Sequence, residues 1–447
     1  MDRRSFLRHA SAIAALSTLQ QTGLAQWGSG PRRRVALIGT GWYGKSDLFR
    51  LMQVAAVDVV GLCDVDRQQL EGAQALIQAR AGQTNTIPGY KDYRTLLKEQ
   101  KPDIVLIGTP DHWHALQAID AVKSGAHVYL QKPISVDVIE GEAVVAAARK
   151  HGRVIQVGTQ RRSTPHLMEA KRLFIDSGAI GKVHHAEMFC YYHMRRNATP
   201  PIQPVPESFD YDMWTGPAPL RPFDGMPHRG WWRAFMEYGN GIMGDMCIHM
   251  YDTVRWMLGL GWPTQISSSG GIYGGDPGRS NIADTQTAVF EHPGLTCVWQ
   301  HRTWGTPADP EYPWGFKIYG EKGTLCGSTM RYDFIPVGKG DRVRGDVVYE
   351  REQFPEDLKE KDIELHAAPA TRKHMQDFLE AIDRKGHPTA DIGEGHISTA
   401  SCILANLSMQ LGRPLSYDPK QRIIPGDKEA TKLLRRPYRG PWIHPEP

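Results

Sequence analysis

The sequence predicts an α/β protein with a doubly wound parallel sheet in its first part. An α+β domain on an open, largely antiparallel sheet follows. Three observations carry this expectation. From residue 34 to 158, short apolar runs alternate with amphipathic stretches of helical period, the pattern of strands covered on both faces by helices. The first run, Val35-Ala36-Leu37-Ile38, leads into Gly39-Thr40-Gly41-Trp42-Tyr43-Gly44, a G-x-G-x-x-G turn. In the second half, β-rich segments follow one another across turn signals such as His292-Pro293-Gly294 and Glu321-Lys322-Gly323.

The glycine turn has a chemical reading beside its structural one. Gly39 permits the sharp turn, Gly41 has no side chain to hold a pyrophosphate off the backbone, and Gly44 lets helix pack on strand. The helix N-terminus, with Trp42 and Tyr43 in its first turn, offers unpaired N–H groups to phosphate. A glycine-rich surface turn explains the motif taken alone. Here a second apolar run, residues 57–63, ends in Asp64, twenty residues beyond Gly44, where a carboxylate accepts ribose hydroxyls. The order strand, glycines, helix, strand, acid therefore reads as a Rossmann dinucleotide site. Asp64 repels a 2′-phosphate and favours NAD, while nearby Arg67 keeps NADP open.

Helices are expected near 44–54, 68–81 and 93–99. A strand over 104–108 ends in Thr109-Pro110-Asp111-His112-Trp113-His114. Ligands in such folds sit beyond the carboxyl ends of strands, so Thr109, Pro110, His112 and His114 are candidate cofactor contacts; capping of the next helix is the alternative. A fifth strand, 127–130, runs into Gln131-Lys132-Pro133, and a helix (139–151) and a strand (154–157) complete the domain. A helix around 171–174 stops at Ser177-Gly178. Strands follow at 184–192, 265–272, 285–291, 296–302, 314–319 and 324–328. Between 197 and 230 lies a proline-rich run containing Trp214-Thr215-Gly216-Pro217, expected as a rim of the substrate site or an oligomer arm. Helices at 374–382 and 394–411 precede a proline-rich, basic tail. The expected organisation is a signal over 1–25, a nucleotide domain over 34–158, a substrate and oligomerisation domain over 159–418 and a surface-wrapping tail over 419–447.

Bulk properties exclude several classes. The formal net charge is +4, and the first 25 residues hold half of it, which leaves too little to argue for nucleic acid. No stretch reaches the apolar length that spans a bilayer. Six scattered cysteines form no C-x-x-C pair, so neither a zinc knuckle nor a disulfide framework is indicated. Asp2-Arg3-Arg4-Ser5-Phe6-Leu7-Arg8, an apolar stretch over 10–19 and Gly23-Leu24-Ala25 look like a twin-arginine export signal with a cleavage site. Such a route carries folded cargo, which suits an exported, periplasmic enzyme loaded with its nucleotide in the cytoplasm.

The nucleotide turn, the Thr-Pro-x-His segment and the Lys-Pro closing the fifth strand together resemble the Gfo/Idh/MocA oxidoreductases. The similarity continues into Gly158-Thr159-Gln160-Arg161-Arg162 and Gly244-Asp245-Met246-Cys247-Ile248-His249. The resemblance implies hydride transfer between a sugar, sugar acid or cyclitol hydroxyl and a nicotinamide cofactor, and export, where free nicotinamide is scarce, implies that the cofactor is tightly held. It implies His249 as proton acceptor, Asp245 as the group that binds a hydroxyl or orients the base, and a sheet that forms oligomer contacts. Position at a strand end makes Lys132 the candidate for stabilising the reacting oxygen, against a solvent-facing lysine before a turn proline. Gln131 stands where the family has Glu and keeps the ability to bond a ribose hydroxyl.

Asp245 and His249 are four apart in an expected helix and share a face, with Asp252 nearly in register. An acid near a helix N-terminus and a core histidine explain the pair equally. That face raises a metal, but hydride transfer needs none and no further ligand spacing supports one. Arg161 and Arg162 either hold a ligand hydroxyl or phosphate or pair with acids, and Trp232 offers an aromatic face to sugar C–H groups. Two other functions share these features: an NAD-dependent glycosidase working through transient ring oxidation, and a non-catalytic sugar- or nucleotide-binding protein.

Overall fold

The computed structural model describes residues 32–81, 86–191, 199–225, 228–274, 278–307, 309–360 and 363–447; the expected signal and Tyr192, the last residue of the expected 184–192 strand, lie outside them. Six parallel strands form the first sheet, in the order β3-β2-β1-β4-β5-β6. They are β1 (Arg33–Ile38), β2 (Val57–Cys63), β3 (Gly89–Tyr90), β4 (Ile104–Ile107), β5 (His127–Leu130) and β6 (Ile155–Val157). Val35 to Ile38 are all buried, as expected for a strand covered on both faces. The covering helices are α1 (Trp42–Val54), α2 (Arg67–Ala81), α3 (Tyr93–Gln100), α4 (His114–Lys123) and α5 (Val138–His151). Asp92 and Asp137 cap α3 and α5 by accepting backbone N–H bonds from Arg94 and Glu140. Strand order reverses between β1 and β4, so the turns after these strands flank the crevice where such sheets bind ligands.

Beyond β6 the chain makes a tight turn at Gln160–Ser163, helix α6 (Pro165–Ala170) and a widened turn over Lys171–Asp176. The second sheet has eight strands in the order β14-β13-β12-β11-β7-β10-β9-β8. These are β7 (Val183–Cys190), β8 (Gln265–Gly271), β9 (Thr285–His292), β10 (Leu295–Arg302), β11 (Trp314–Gly320), β12 (Gly323–Ser328), β13 (Arg331–Pro336) and β14 (Val343–Asp346). Neighbours run antiparallel except β7 and β10. The last two strands lie beyond the final strand expected from sequence, 324–328. What holds them is Asp333, fully buried in β13, which accepts bonds from Arg342, Arg344 and the Tyr312 hydroxyl.

Helices α7 (Tyr211–Thr215) and α8 (Ile248–Leu258) precede β8; α9 (Ala368–Asp383), α10 (Ile392–Leu411) and α11 (Lys428–Leu433) close the chain. Helix α9 belongs to the first core: Met375, Phe378 and Leu379 pack with Val35, Leu37, Leu48 and Tyr129. The tail does more than wrap the surface. Ala430 and Leu434 join the second core, and Trp442 packs edge-on to Trp113 at 4.8 Å. Among the described residues, no helix is long and apolar enough to cross a membrane.

Arg162, expected as a ligand contact, is instead a buried strut. Its guanidinium gives Asp252 two bonds, Nε at 2.7 Å and Nη2 at 2.8 Å, and both side chains are buried. A third bond of 2.9 Å reaches the Thr389 carbonyl. Asp252 also accepts from Ser398 Oγ, so this acid is committed to structure. Removing one partner leaves a buried charge, at a cost of about 3–5 kcal/mol, whereas replacing both by apolar groups is often near neutral. Asp252→Ala is therefore expected to lower unfolding stability by about that amount, and Arg162→Met/Asp252→Leu to recover much of it. Denaturant unfolding measures both; a neutral single variant would show that the pair carries no stability.

Candidate active site

A cleft of about 940 Å³ runs from the glycine turn past Asp64 and the Thr109-Pro110 turn to Trp232 and Arg233. Its geometry fits a dinucleotide. A Cβ on Gly39 (φ +87°) would lie 2.7 Å from Gly108 and Thr109, and one on Gly44 would collide with the Gly39 carbonyl, whereas one on Gly41 meets nothing within 4 Å. The first and third glycines are thus required by the fold, and the middle one leaves room beside the backbone. Asp64 sits in the cleft wall. Its carboxylate accepts from Thr40 N at 2.8 Å, Thr40 Oγ1 at 2.9 Å and Asp66 N at 3.0 Å, three of roughly four acceptor positions. Burial nonetheless pushes its pKa up, and those three bonds work against the rise. Trp42, Tyr43, Thr109 and Pro110 line the same cleft. Tyr43 accepts a 2.6 Å bond from Gln160 Nε2, and Thr109 Oγ1 donates to Gln117 at 2.7 Å.

Three expected cofactor contacts turn inward instead. His112 Nε2 lies 2.9 Å from the Trp214 carbonyl, and its ring packs against Trp214 and Tyr238. His114 sits between the carbonyls of Pro133 (2.6 Å) and Thr109 (2.9 Å). Burial pushes its pKa down to about 4, so the neutral ring has one N–H to give, and the Pro133 oxygen is nearer. Gln131 Nε2 donates to Asp47 Oδ2 at 2.6 Å, and its Oε1 accepts from the Lys132 backbone N–H at 3.3 Å. These bonds tie the buried amide to α1 and to the peptide of Lys132.

At the end of β5, Lys132 reaches across to the second domain. Its Nζ donates to Asp245 Oδ1 at 2.5 Å and to the Asp245 carbonyl at 2.9 Å. The Lys132–Pro133 bond is cis. Asp245 lies in a single wide helical turn, Met243–Cys247, that runs directly into α8 and so presents Asp245 and His249 together; such insertions recur at functional sites. Burial works to raise the Asp245 carboxyl, and the Lys132 and Arg233 cations overcome it and hold the pKa low. Arg233 Nε stands 3.4 Å from Asp245 Oδ1, and its guanidinium lies 4.2 Å over the Trp232 ring.

His249 is 5 % exposed. Neither of its ring nitrogens has a hydrogen-bond partner among the described residues, and Nδ1 is sealed from solvent. Burial, then the nearby Lys132 and Arg161 charges, hold its pKa well below the ordinary value. The Trp314 ring stands edge-on to it at 5.5 Å and lies 5.4 Å from the Arg161 guanidinium. Lys132, Asp245, His249, Arg161 and Trp232 therefore converge, and Arg162, His112, His114 and Gln131 do not join them.

Two members escaped the sequence reading. Arg233 carried no signal beyond its tryptophan neighbours. Asp111, buried, with a pKa pushed up by burial against the pull of Arg233 and Lys132, stood in the turn after β4, where the strand-end rule could have found it. The one trio of metal-ligand type among the described residues, Asp137, Glu140 and His444, is internally satisfied: Asp137 accepts from His444 Nε2 and Arg436 N, and Glu140 from Tyr438 and Val136 N.

Residues 33–159 match the model described as "Oxidoreductase family, NAD-binding Rossmann fold", and residues 181–267 with 343–444 match "Oxidoreductase family, C-terminal alpha/beta domain". The chain belongs to the Gfo/Idh/MocA oxidoreductase family. The scyllo-inositol 2-dehydrogenase (NAD(+)) of Bacillus subtilis is 24% identical over 339 residues, 74% of this chain and 82% of that protein. A glycosyl hydrolase family 109 protein of Akkermansia muciniphila is 32% identical over 167 residues, 36% of this chain and 34% of that protein. The structure of myo-inositol 2-dehydrogenase from Lactobacillus plantarum shares the fold, with TM-score 0.61 and 20% identity over 87% of this chain and all of that one.

For this Gfo/Idh/MocA chain the glycine geometry gives a direct check. Gly41→Val is expected to leave the unfolding midpoint of nucleotide-free protein near wild type and to weaken NAD binding by roughly tenfold or more, as the new side chain fills space a pyrophosphate needs. Gly44→Ala is expected to lower both. Titration calorimetry decides, and unchanged NAD affinity in Gly41→Val would place the phosphates elsewhere.

Proposed function

We propose that this chain is a dehydrogenase that transfers a hydride between a carbinol of a sugar or cyclitol and NAD. The observation that carries this reading is the convergence of the Lys132 ammonium and a neutral, unpartnered His249 imidazole next to a cleft shaped for a dinucleotide. Gly39, Gly41, Gly44 and Asp64 would hold the cofactor, which supplies the hydride acceptor. Lys132 has three N–H donors and gives two to Asp245, so the third is free for the substrate oxygen. Asp245 keeps that ammonium aimed, and Arg233 shares the load on its carboxylate. His249 takes the hydroxyl proton at Nε2, the ring nitrogen not sealed off.

NAD is preferred to NADP in this reading because Asp64 faces the position of a 2′-phosphate, and Arg67 lies off the cleft beside Glu71 at 4.0 Å. Export by the twin-arginine route with tightly bound, internally recycled cofactor, and assembly through the second sheet, are parts of the same proposal; they rest on the Arg3-Arg4 segment and on the extent of that sheet. The family 109 relative supports keeping the glycosidase chemistry in the test.

Native mass spectrometry is expected to find bound NAD, and sugars or cyclitols added to that protein are expected to raise absorbance at the reduced-cofactor band with net ketone formation. Glycosidic cleavage without net redox would sink the dehydrogenase reading. Lys132→Met is expected to lower kcat by about 10²–10³-fold, the usual cost of losing a donor to a developing oxyanion.

The pH dependence has a definite sign. A base whose pKa is depressed stays neutral until pH falls through that lowered value, so the acid limb of kcat/KM is expected below the ordinary histidine value of 6.5. A limb at or above 6.5 would remove His249 from the role.

A further inference from the structure

Among the described residues Arg161 has no acid to pair with. It is 3 % exposed, Nε is sealed from solvent without a partner, and among the described residues no carboxylate lies within ion-pair distance of its guanidinium. Its neighbour Arg162 has the opposite fate: two bonds to Asp252 and one to Thr389 pin the backbone of this turn. That anchoring fixes where Arg161 sits, over the ring of Trp314 and within electrostatic reach of His249, Tyr43 and His366. Glu364 also acts on Tyr43 and His366, and it makes no ion pair with Arg161. The other two cations at the site, Lys132 and Arg233, already share Asp245.

A buried, unpaired guanidinium costs several kcal/mol in an empty site. Arg161 Nε is closed off from water, the ordinary way to meet that cost, and no carboxylate among the described residues pairs with the two terminal nitrogens, which are not sealed. The same turn holds further buried polar atoms without partners, Thr159 Oγ1, Gln160 Oε1 and Thr164 Oγ1, as expected where a polar ligand completes the hydrogen bonding. A guanidinium presents parallel N–H donors that match a carboxylate in bidentate fashion, and one uncommitted positive charge balances one negative charge.

We propose that the substrate is a sugar acid, and that its carboxylate is bound by Arg161 while the reacting carbinol lies between Lys132 and His249. The inference rests on the dehydrogenase reading above for the carbinol, and on Arg161 alone for the acid. Binding of the anion next to His249 also adds a negative charge where two cations now act, which makes the imidazole a stronger base once substrate is present.

The test uses the NAD-loaded full chain and matched pairs: glucuronate against glucose, galacturonate against galactose, gluconate against glucitol, with glucose 6-phosphate as a dianionic control. Calorimetry measures binding and cofactor absorbance measures turnover. At least one acid is expected to bind and turn over on the order of 10- to 100-fold better than its neutral partner, the worth of a charge-assisted bidentate contact. Arg161→Met is expected to collapse that ratio toward one, chiefly through KM. Arg161→Lys, which keeps the charge and loses the fork, is expected to restore part of it. Neutral sugars turning over with no advantage to any acid would overturn the carboxylate assignment and leave the dehydrogenase intact, as would a clear preference for the phosphate. Acids that bind through Arg161 with no hydride transfer from either class would uphold the anion site and sink the dehydrogenase reading instead.

Discussion

The contact between Lys132 and Asp245 joins two folding units across 113 residues of chain, and much of the molecule is arranged to hold it. One partner ends a strand of the parallel sheet; the other lies in the widened turn that leads into α8. Both are almost sealed from water, where an ammonium or a carboxylate alone is expensive. Side chains around the lysine fix its peptide rather than its amine. Gln131, itself held by Asp47, accepts the Lys132 N–H, and His114 takes the carbonyl of Pro133. Gln131 and His114, both expected to touch the cofactor, thus hold the backbone of Lys132 and Pro133. Asp47 bears the cost, with its pKa raised by burial to about 7 against the pull of Gln131 and Arg50.

The nucleotide half was legible because its physics is local. A glycine that must avoid Gly108, a glycine that must clear a carbonyl and an acid at the next strand end all fall within a short stretch, and each leaves a residue-type signature. The pairing of Asp245 with His249 was legible as spacing but not as chemistry, since a helix-face argument serves a core histidine as well as a base. Arg161 and Arg162 were indistinguishable in sequence. What separates them is that Arg162 meets Asp252 and Thr389, ninety or more residues away, while no acid among the described residues pairs with Arg161. The same holds for β13 and β14, which were not expected and which are held by one buried aspartate between two arginines.

Domain limits show a further non-local effect. Helix α9 lies far along the chain, yet its apolar face completes the core under β1, so the nucleotide sheet is finished by residues 368–383. The tail returns similarly. Arg436 donates to the Met236 and Gly239 carbonyls and to Asn240, while His444 meets Asp137 at the N-terminus of α5. Proline-rich, basic composition suggested a strap on the surface; Ala430, Leu434 and Trp442 make it part of the packing between both halves.

The charge pattern around His249 looks self-defeating for a base, because burial and two cations depress its affinity for a proton. It is coherent once the donor is considered with the acceptor. In the proposed reaction the Lys132 ammonium, held by Asp245, would stabilise negative charge developing on the carbinol oxygen, and so make that hydroxyl a stronger acid in the site than in water. Proton transfer depends on the difference between the two affinities. A field that lowers both keeps them matched while leaving the imidazole neutral and ready to accept, and the low-dielectric surroundings that make His249 a weak base are the ones in which a single ammonium has most effect on an alkoxide.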